Sequence, residues 1–141
     1  MSSRISFDPP PEPEKYSFIH QVRVRFAETD AMGIVHHGSY IPYLESARVE
    51  YLRAVGHDYV SVRESGINFA VIECALQYLK PCVFDELIDV HVLVGPRTRA
   101  TFQIGYLLTV AGDPRVKAVT VHASVTDTQR PARLPQWVLE L

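Results

Sequence analysis

The sequence predicts an α+β domain in which one long central helix is wrapped by a curved, five-stranded antiparallel sheet. Three observations carry this. Tyr40, Leu44, Ala47, Tyr51 and Val55 recur at helical spacing over one unbroken stretch. The chain before and after that stretch alternates with a period of two. The later period-two runs are joined by short turns, which suits antiparallel neighbours. A broadly apolar helix and strands apolar on one face bury each other economically when the sheet curls around the helix.

Each element follows in order. Residues 1–15 carry Pro9, Pro10, Pro11 and Pro13 with little apolar periodicity and read as a flexible or extended tail; residues 16–141 form one domain. Over 16–26, Val22, Val24 and Phe26 alternate with Gln21, Arg23 and Arg25, the pattern of a half-buried strand. Residues 27–38 form a loop. Ser39 is a suitable helix N-cap, and Pro42 falls within the first turn, where its missing N–H costs little. Ile41 and Leu52 widen the apolar stripe of the helix, and Gly56 is a natural stop. A short helix over about 58–64 and a turn at Gly66-Ile67-Asn68 come next. Four strands follow, over about 69–80, 87–95, 99–111 and 115–127. Their turns are Asp85-Glu86, Gly95-Pro96-Arg97 and Gly112-Asp113-Pro114. The third run is the clearest, with Phe102, Ile104, Tyr106, Leu108 and Val110 alternating against Thr101, Gln103, Gly105, Leu107 and Thr109.

Composition narrows the function classes. At 47% hydrophobic and 21% charged the chain is an ordinary globular one, and a net charge of −2 gives no basic field for nucleic acid. No apolar run approaches the roughly 20 residues of a membrane helix, so membrane insertion is not expected. Cys74 and Cys82 form neither a CxxC pair nor a zinc spacing, and read as buried or half-buried free thiols suited to the cytoplasm. The adjacent His36 and His37 lack the i, i+4 face of a helical metal site, and no Cys or carboxylate cluster completes a set, so no metal is expected. His20, His57, His91 and His122 are scattered. No phosphate loop, dinucleotide fingerprint or nucleophile elbow is present.

The most informative stretch is Arg25-Phe-Ala-Glu-Thr-Asp-Ala-Met-Gly-Ile-Val-His-His-Gly-Ser-Tyr40, running into Ile41-Pro-Tyr-Leu-Glu-Ser-Ala-Arg48. It places one carboxylate, Asp30, in a glycine-containing loop just ahead of a helix start. A carboxylate aimed at free helix-start amides is an arrangement that can attack a polarised carbonyl.

This stretch resembles the acyl-CoA thioesterases of the 4-hydroxybenzoyl-CoA thioesterase and YbgC-like group. The matching residues are Arg25, Phe26, Glu28, Asp30, Gly33, Ile34, Val35, His37, Ser39, Tyr40, Glu45, Ala47 and Arg48. Gln77-Tyr-Leu-Lys-Pro81 followed by Phe84-Asp-Glu86 is similar to the end of that family's second strand. The chain departs from the pattern at His36, usually aromatic, at Ser39, often Asn, and at Met32, usually small. The resemblance implies the hotdog fold, hydrolysis of an acyl-CoA thioester, and a catalytic carboxylate at Asp30. It also implies sites at a subunit interface.

Thioester hydrolysis needs a nucleophile or a general base near the carbonyl carbon, and Asp30 is suited to either. The amides of His37 and Gly38 are the natural donors for the thioester oxygen, and Gly38 lets backbone approach closely. Gly33 supplies the turn that aims Asp30. His37 is a candidate to orient water, contact the thioester or protonate the departing thiolate. Val35, His36 and Ser39 are expected to line the substrate region. Glu45 either borders the site or pairs with Arg48 at i+3. Glu28, two residues before Asp30, would raise one carboxyl pKa if both faced the same way. Lys80, Arg97, Arg99, Arg130 and Arg133 are candidates for the coenzyme A phosphates, coenzyme A being part of the substrate and no separate cofactor being expected. The alternatives are an acyl-carrier-protein thioesterase, a hotdog dehydratase, whose His-to-acid order does not fit, and a non-catalytic acyl-CoA-binding protein. A lone five-stranded sheet leaves long edges open, so a homodimer or homotetramer is expected.

Overall fold

The computed structural model describes residues 2–141. β1 (Phe18–Arg23) leads through the motif loop into α1 (Tyr40–Ala54) and the short α2 (Tyr59–Glu64). Then come β2 (Ile67–Tyr78), β3 (Leu87–Arg97), β4 (Thr101–Val110), β5 (Asp113–Thr126) and a terminal turn of helix, α3 (Gln136–Leu139). The strands form one sheet in the order β1-β3-β4-β5-β2, and every pairing is antiparallel.

α1 lies against one face of this sheet. Its buried residues are Tyr40, Tyr43, Leu44, Ala47, Tyr51 and Leu52, which join Ile88, Val90 and Val92 of β3 with Ile104, Tyr106 and Leu108 of β4 in one core. Two expected members of the helical stripe fall outside it. Ile41 and Val55 are exposed, and Tyr43 takes the inward place, because the buried arc is centred nearer Leu44 and Ala47.

Several other boundaries differ from expectation. β1 ends at Arg23, and a 3-10 turn over Phe26–Glu28 carries Phe26 outward, where it is 76% exposed and packs edge-on against Phe84. Ile67 and Asn68 belong to β2 and not to a turn. The sequence Gly95-Pro96-Arg97 sits within β3, as a bulge between Val94 and Arg97. The reversal comes later, where Thr98 N–H donates to Thr101 O. Cys82 is buried but Cys74 is exposed on the edge strand β2.

β4 is buried on both faces, although its sequence alternates, because Gln103, Leu107 and Thr109 are covered as well as the inner row. Part of this cover comes from the N-terminal segment, which crosses the outer face. The Phe7 ring sits over Gly95 and Gly105, where a Cβ on either glycine would overlap it. Gln103 Nε2 donates to Arg4 O (2.9 Å) and its Oε1 accepts from Ser6 N–H (3.1 Å). Glu73 accepts from Ser3 Oγ (2.6 Å) and from the Arg4 amide, and Lys117 Nζ meets Asp8 at 2.9 Å.

Candidate active site

The motif loop is built from a tight turn. Gly33 N–H donates to Asp30 O (2.9 Å) and Asp30 N–H to Ile34 O (2.9 Å), with Gly33 at φ +80°. This is a turn closed by a left-handed residue, the position that glycine occupies without strain. Asp30 stands at its first position, and its Oδ1 accepts from Met32 N–H at 2.8 Å, the side-chain cap that Asp commonly makes there. The loop then pairs across to the segment after β2, through Val35 N–H to Cys82 O (2.8 Å) and the Ile34–Val83 bridge.

Glu28 fixes the other end of the loop. Its Oε1 accepts from Tyr43 Oη (2.7 Å) and from Arg25 N–H (2.8 Å), while Oε2 meets the Arg25 guanidinium at 2.9 Å. Burial works to raise this carboxyl, but the Tyr43 and Arg25 bonds outweigh it, so its pKa is lowered. This differs from the expectation that a neighbouring carboxylate would raise one carboxyl pKa: the Glu28 carboxylate is committed to Arg25 and Tyr43. Desolvation first, and then the bond to Glu28, pushes the Tyr43 hydroxyl far above its ordinary range.

A cleft of about 270 Å³ opens beside this loop, lined by Asp30, Met32, Ile34, Val35, His37 and Tyr40 on one side and by Tyr78–Pro81 on the other. Asp30 and His37 are thus brought together in it. Val35 is a buried wall residue, and Met32 is exposed at its mouth. Gly33 shapes the turn without lining the cleft, and His36, Gly38 and Ser39, also expected there, stand beside it at the helix start and are not among its lining residues. Glu45 does not reach it: the carboxylate lies 3.7 Å from the Arg48 guanidinium and borders a different cavity with Arg48, Val49 and Tyr59.

The helix start differs from expectation at Ser39, whose side chain makes no capping bond. A 3-10 turn over His37–Ser39 precedes α1, so Ser39 is already helical (φ −73°, ψ −15°) and its N–H donates to His36 O at 2.8 Å. The capping side chain is His36, whose backbone is still extended and whose Nδ1 accepts Gly38 N–H at 3.0 Å. The His36 ring also lies on that of His37, with centroids 4.1 Å apart. Two tyrosines missed as site residues complete the arrangement. Tyr78 Oη donates to His37 O (2.9 Å), and Tyr40 is buried at the cleft. Tyr78 stands inside the Gln77-to-Pro81 segment of the second motif, which was the available pointer to it.

Of the five basic candidates, Lys80 pairs with Asp113 (3.1 Å) and Arg97 donates to Val138 O (3.0 Å) and to Leu141 O. Arg99, Arg130 and Arg133 are exposed and join none of the ion pairs among the described residues. Nor do three or more His, Cys, Asp or Glu side chains gather in a metal-binding group among those residues. Among the described residues, no helix is long and apolar enough to cross a membrane.

A long helix embraced by this sheet, with a carboxylate loop at the helix start, defines the hotdog class of domain. Residues 24–141 match the Thioesterase-like superfamily, and the chain belongs to that family. The crystal structure of a hypothetical protein from Aquifex aeolicus superposes with a TM-score of 0.83 at 36% identity, covering 88% of this chain and 98% of that one. The DHNA-CoA thioesterase of Staphylococcus aureus superposes with a TM-score of 0.80 at 27% identity, covering 86% of this chain and 83% of that one. In sequence, the acyl-CoA thioesterase YbgC of Haemophilus influenzae is 34% identical over 85 residues, 60% of this chain and 62% of that protein.

Proposed function

We propose that this chain hydrolyses an acyl-CoA thioester to the free acid and coenzyme A, with Asp30 as nucleophile or general base. The observation that carries the reading is the cleft that holds Asp30 and His37 between apolar walls at a helix start. The relatives named as thioesterases support the reaction class. Oδ1 of Asp30 is held by the Met32 amide, which leaves Oδ2 for chemistry. In one route Oδ2 attacks the carbonyl carbon, the C–S bond breaks, the thiolate leaves, and water then cleaves the mixed anhydride. In the other, Oδ2 takes a proton from water as its oxygen adds to that carbon, and the C–S bond breaks in the collapse. The amides of His37 and Gly38 take the developing oxyanion in both, and the dipole of α1 adds a modest favourable potential. The role we assign to His37, which lines the cleft, is to orient water or to meet the thiolate.

The assembly we propose is a homodimer, or a dimer of such dimers. β2 is an edge of the sheet and leaves Val71 and Ile72 exposed. Two copies joined along this edge about a two-fold axis pair antiparallel. The end of one sheet that carries Arg99, Arg130 and Arg133 then comes to the cleft end of the other, where coenzyme A phosphates need cations. The cytoplasm is the proposed location.

The test is thiol release from a panel of benzoyl-, hydroxybenzoyl-, short- and medium-chain acyl-CoAs and one acyl carrier protein thioester. Asp30→Asn is expected to lose at least about a hundredfold in kcat while folding and assembling normally. Equal turnover by the variant would move the chemistry to another residue. Binding without turnover on every member would refute hydrolysis.

A further inference from the structure

His36 and Gly38 hold a hydrogen bond that bears directly on the proposed oxyanion donors. Gly38 N–H is one of those two donors, yet in the free protein it is already spent on the His36 side chain, at 3.0 Å. The other donor, His37 N–H, has no acceptor in the hydrogen-bond network of the described residues. We propose that His36 is a gate on the oxyanion pocket: its Nδ1 stands in for the thioester oxygen on the Gly38 amide, and the ring swings away when acyl-CoA binds. This rests on the function proposed above.

Five features support the gate. An imidazole nitrogen that accepts an N–H must be unprotonated, so His36 is the neutral ring with its proton on Nε2. An sp² nitrogen lone pair is a fair mimic of a carbonyl oxygen, and it keeps the amide aimed along the line the oxyanion needs. The His36 side chain is exposed and meets the loop by this bond and by the face of His37. It can therefore leave without opening the core. Residue 38 being glycine matters, because a Cβ there would lie 3.3 Å from Nδ1, so that the ring would have to shift by a few tenths of an ångström against the amide. Lastly, Tyr78 donates to His37 O, the carbonyl of the same peptide unit as the Gly38 N–H. A donor on that carbonyl polarises the peptide and strengthens its N–H as a donor. The amide is thus tuned from one side and covered from the other.

The gate stabilises only the free protein, so its removal should act on KM and leave kcat alone. His36→Phe keeps a planar ring and loses the acceptor. It is expected to raise kcat/KM by about three- to tenfold, the worth of one neutral hydrogen bond, through a lower KM at unchanged kcat, while loss of the capping bond lowers the melting temperature. If His36 is only a helix cap, the melting temperature falls in the same way but kcat/KM does not rise, and that result overturns the gate. A second readout needs no variant. In ¹⁵N-labelled wild type, a scalar coupling across the bond links Gly38 N to His36 Nδ1. It should vanish on saturation with a CH₂-for-thioester analogue, a CH₂ standing between carbonyl and sulfur, of the panel member that is hydrolysed fastest. Persistence of the coupling in that complex refutes the gate, whereas absence of hydrolysis on every panel member overturns the thioesterase reading and the gate with it. Hydrolysis that survives Asp30→Asn overturns the placement of the chemistry alone, and the coupling still decides on His36.

Discussion

Glu28 gives the sharpest test of how the motif loop is held. Its carboxylate takes bonds from the Tyr43 hydroxyl at 2.7 Å, the Arg25 amide at 2.8 Å and the Arg25 guanidinium at 2.9 Å, with the side chain only 14% exposed. In Glu28→Gln one oxygen remains to accept, and an NH₂ group faces the guanidinium, donor against donor. Losing a charge-assisted bond costs about 1.5–3 kcal/mol, which for a domain of this size lowers the melting temperature by about 5–10 °C. The measurement is urea unfolding of wild type, Glu28→Gln, Tyr43→Phe and the double variant at one protein concentration. The cycle should return a Glu28–Tyr43 coupling of about 1–3 kcal/mol. The pH dependence has a fixed sign. The folded-state pKa is lowered, so the folded protein binds the proton less well than the unfolded chain does. The contribution is fully present above the ordinary glutamate value and is lost as pH falls through the folded one. Wild type should therefore lose a stability increment on acidification below about pH 4.5 that Glu28→Gln does not. A coupling under about 0.5 kcal/mol, or parallel acid profiles, would refute the bracing role.

Two further outcomes are expected. Gly105→Ala puts a methyl group into the Phe7 ring, so the amides of residues 3–8 should exchange with solvent at least about tenfold faster, with a stability loss of about 1–3 kcal/mol; unchanged protection would mean that the segment is not seated by the glycine notch. The proposed dimer is tested by Ile72→Lys on the open edge of β2: light scattering should read a dimer for wild type and a monomer for the variant, with turnover reduced, because a charge on an edge strand opposes pairing; equal masses for the two would refute pairing along β2.

The fold was legible because its strongest periodicities are also its most buried parts. Leu44, Ala47 and Leu52 on α1, and Ile104, Tyr106 and Leu108 on β4, sit where their spacing puts them. The misreadings share one cause: local pattern does not report what covers a residue from elsewhere. Phe26 continues the alternation of β1 but leaves the sheet, because Arg25 and Glu28 close a turn first. Leu107 reads as an outward residue, yet it is fully buried on a face that the N-terminal segment also crosses. The proline-rich composition of that segment held no hint of its docking, since the contacts are made by Phe7, Asp8 and Glu73 across 65 or more residues of chain. In the site, Ser39 is the residue type that caps helices, and a histidine three positions earlier took the role because a 3-10 turn moved the helical start back to it.

Asp30 shows why a structural reading and a chemical reading of one residue need not compete. An aspartate at the start of a glycine-closed turn is, on residue statistics alone, a turn cap, and the structure gives it that bond, Oδ1 to Met32 N–H. The same bond fixes the direction of the carboxylate. Oδ2 is held by geometry inside the side chain and the turn, without drawing on contacts to substrate. In the proposed chemistry, a carboxylate already held in place has less freedom left to lose on reaching the transition state. Gly33 at φ +80° is part of this device, because the turn that supplies the Met32 amide needs a left-handed residue at its close. The spacing Asp30-x-x-Gly33 therefore describes a holder as well as the carboxylate held, which is why a four-residue pattern in a loop carries more chemical information than any of its residues alone.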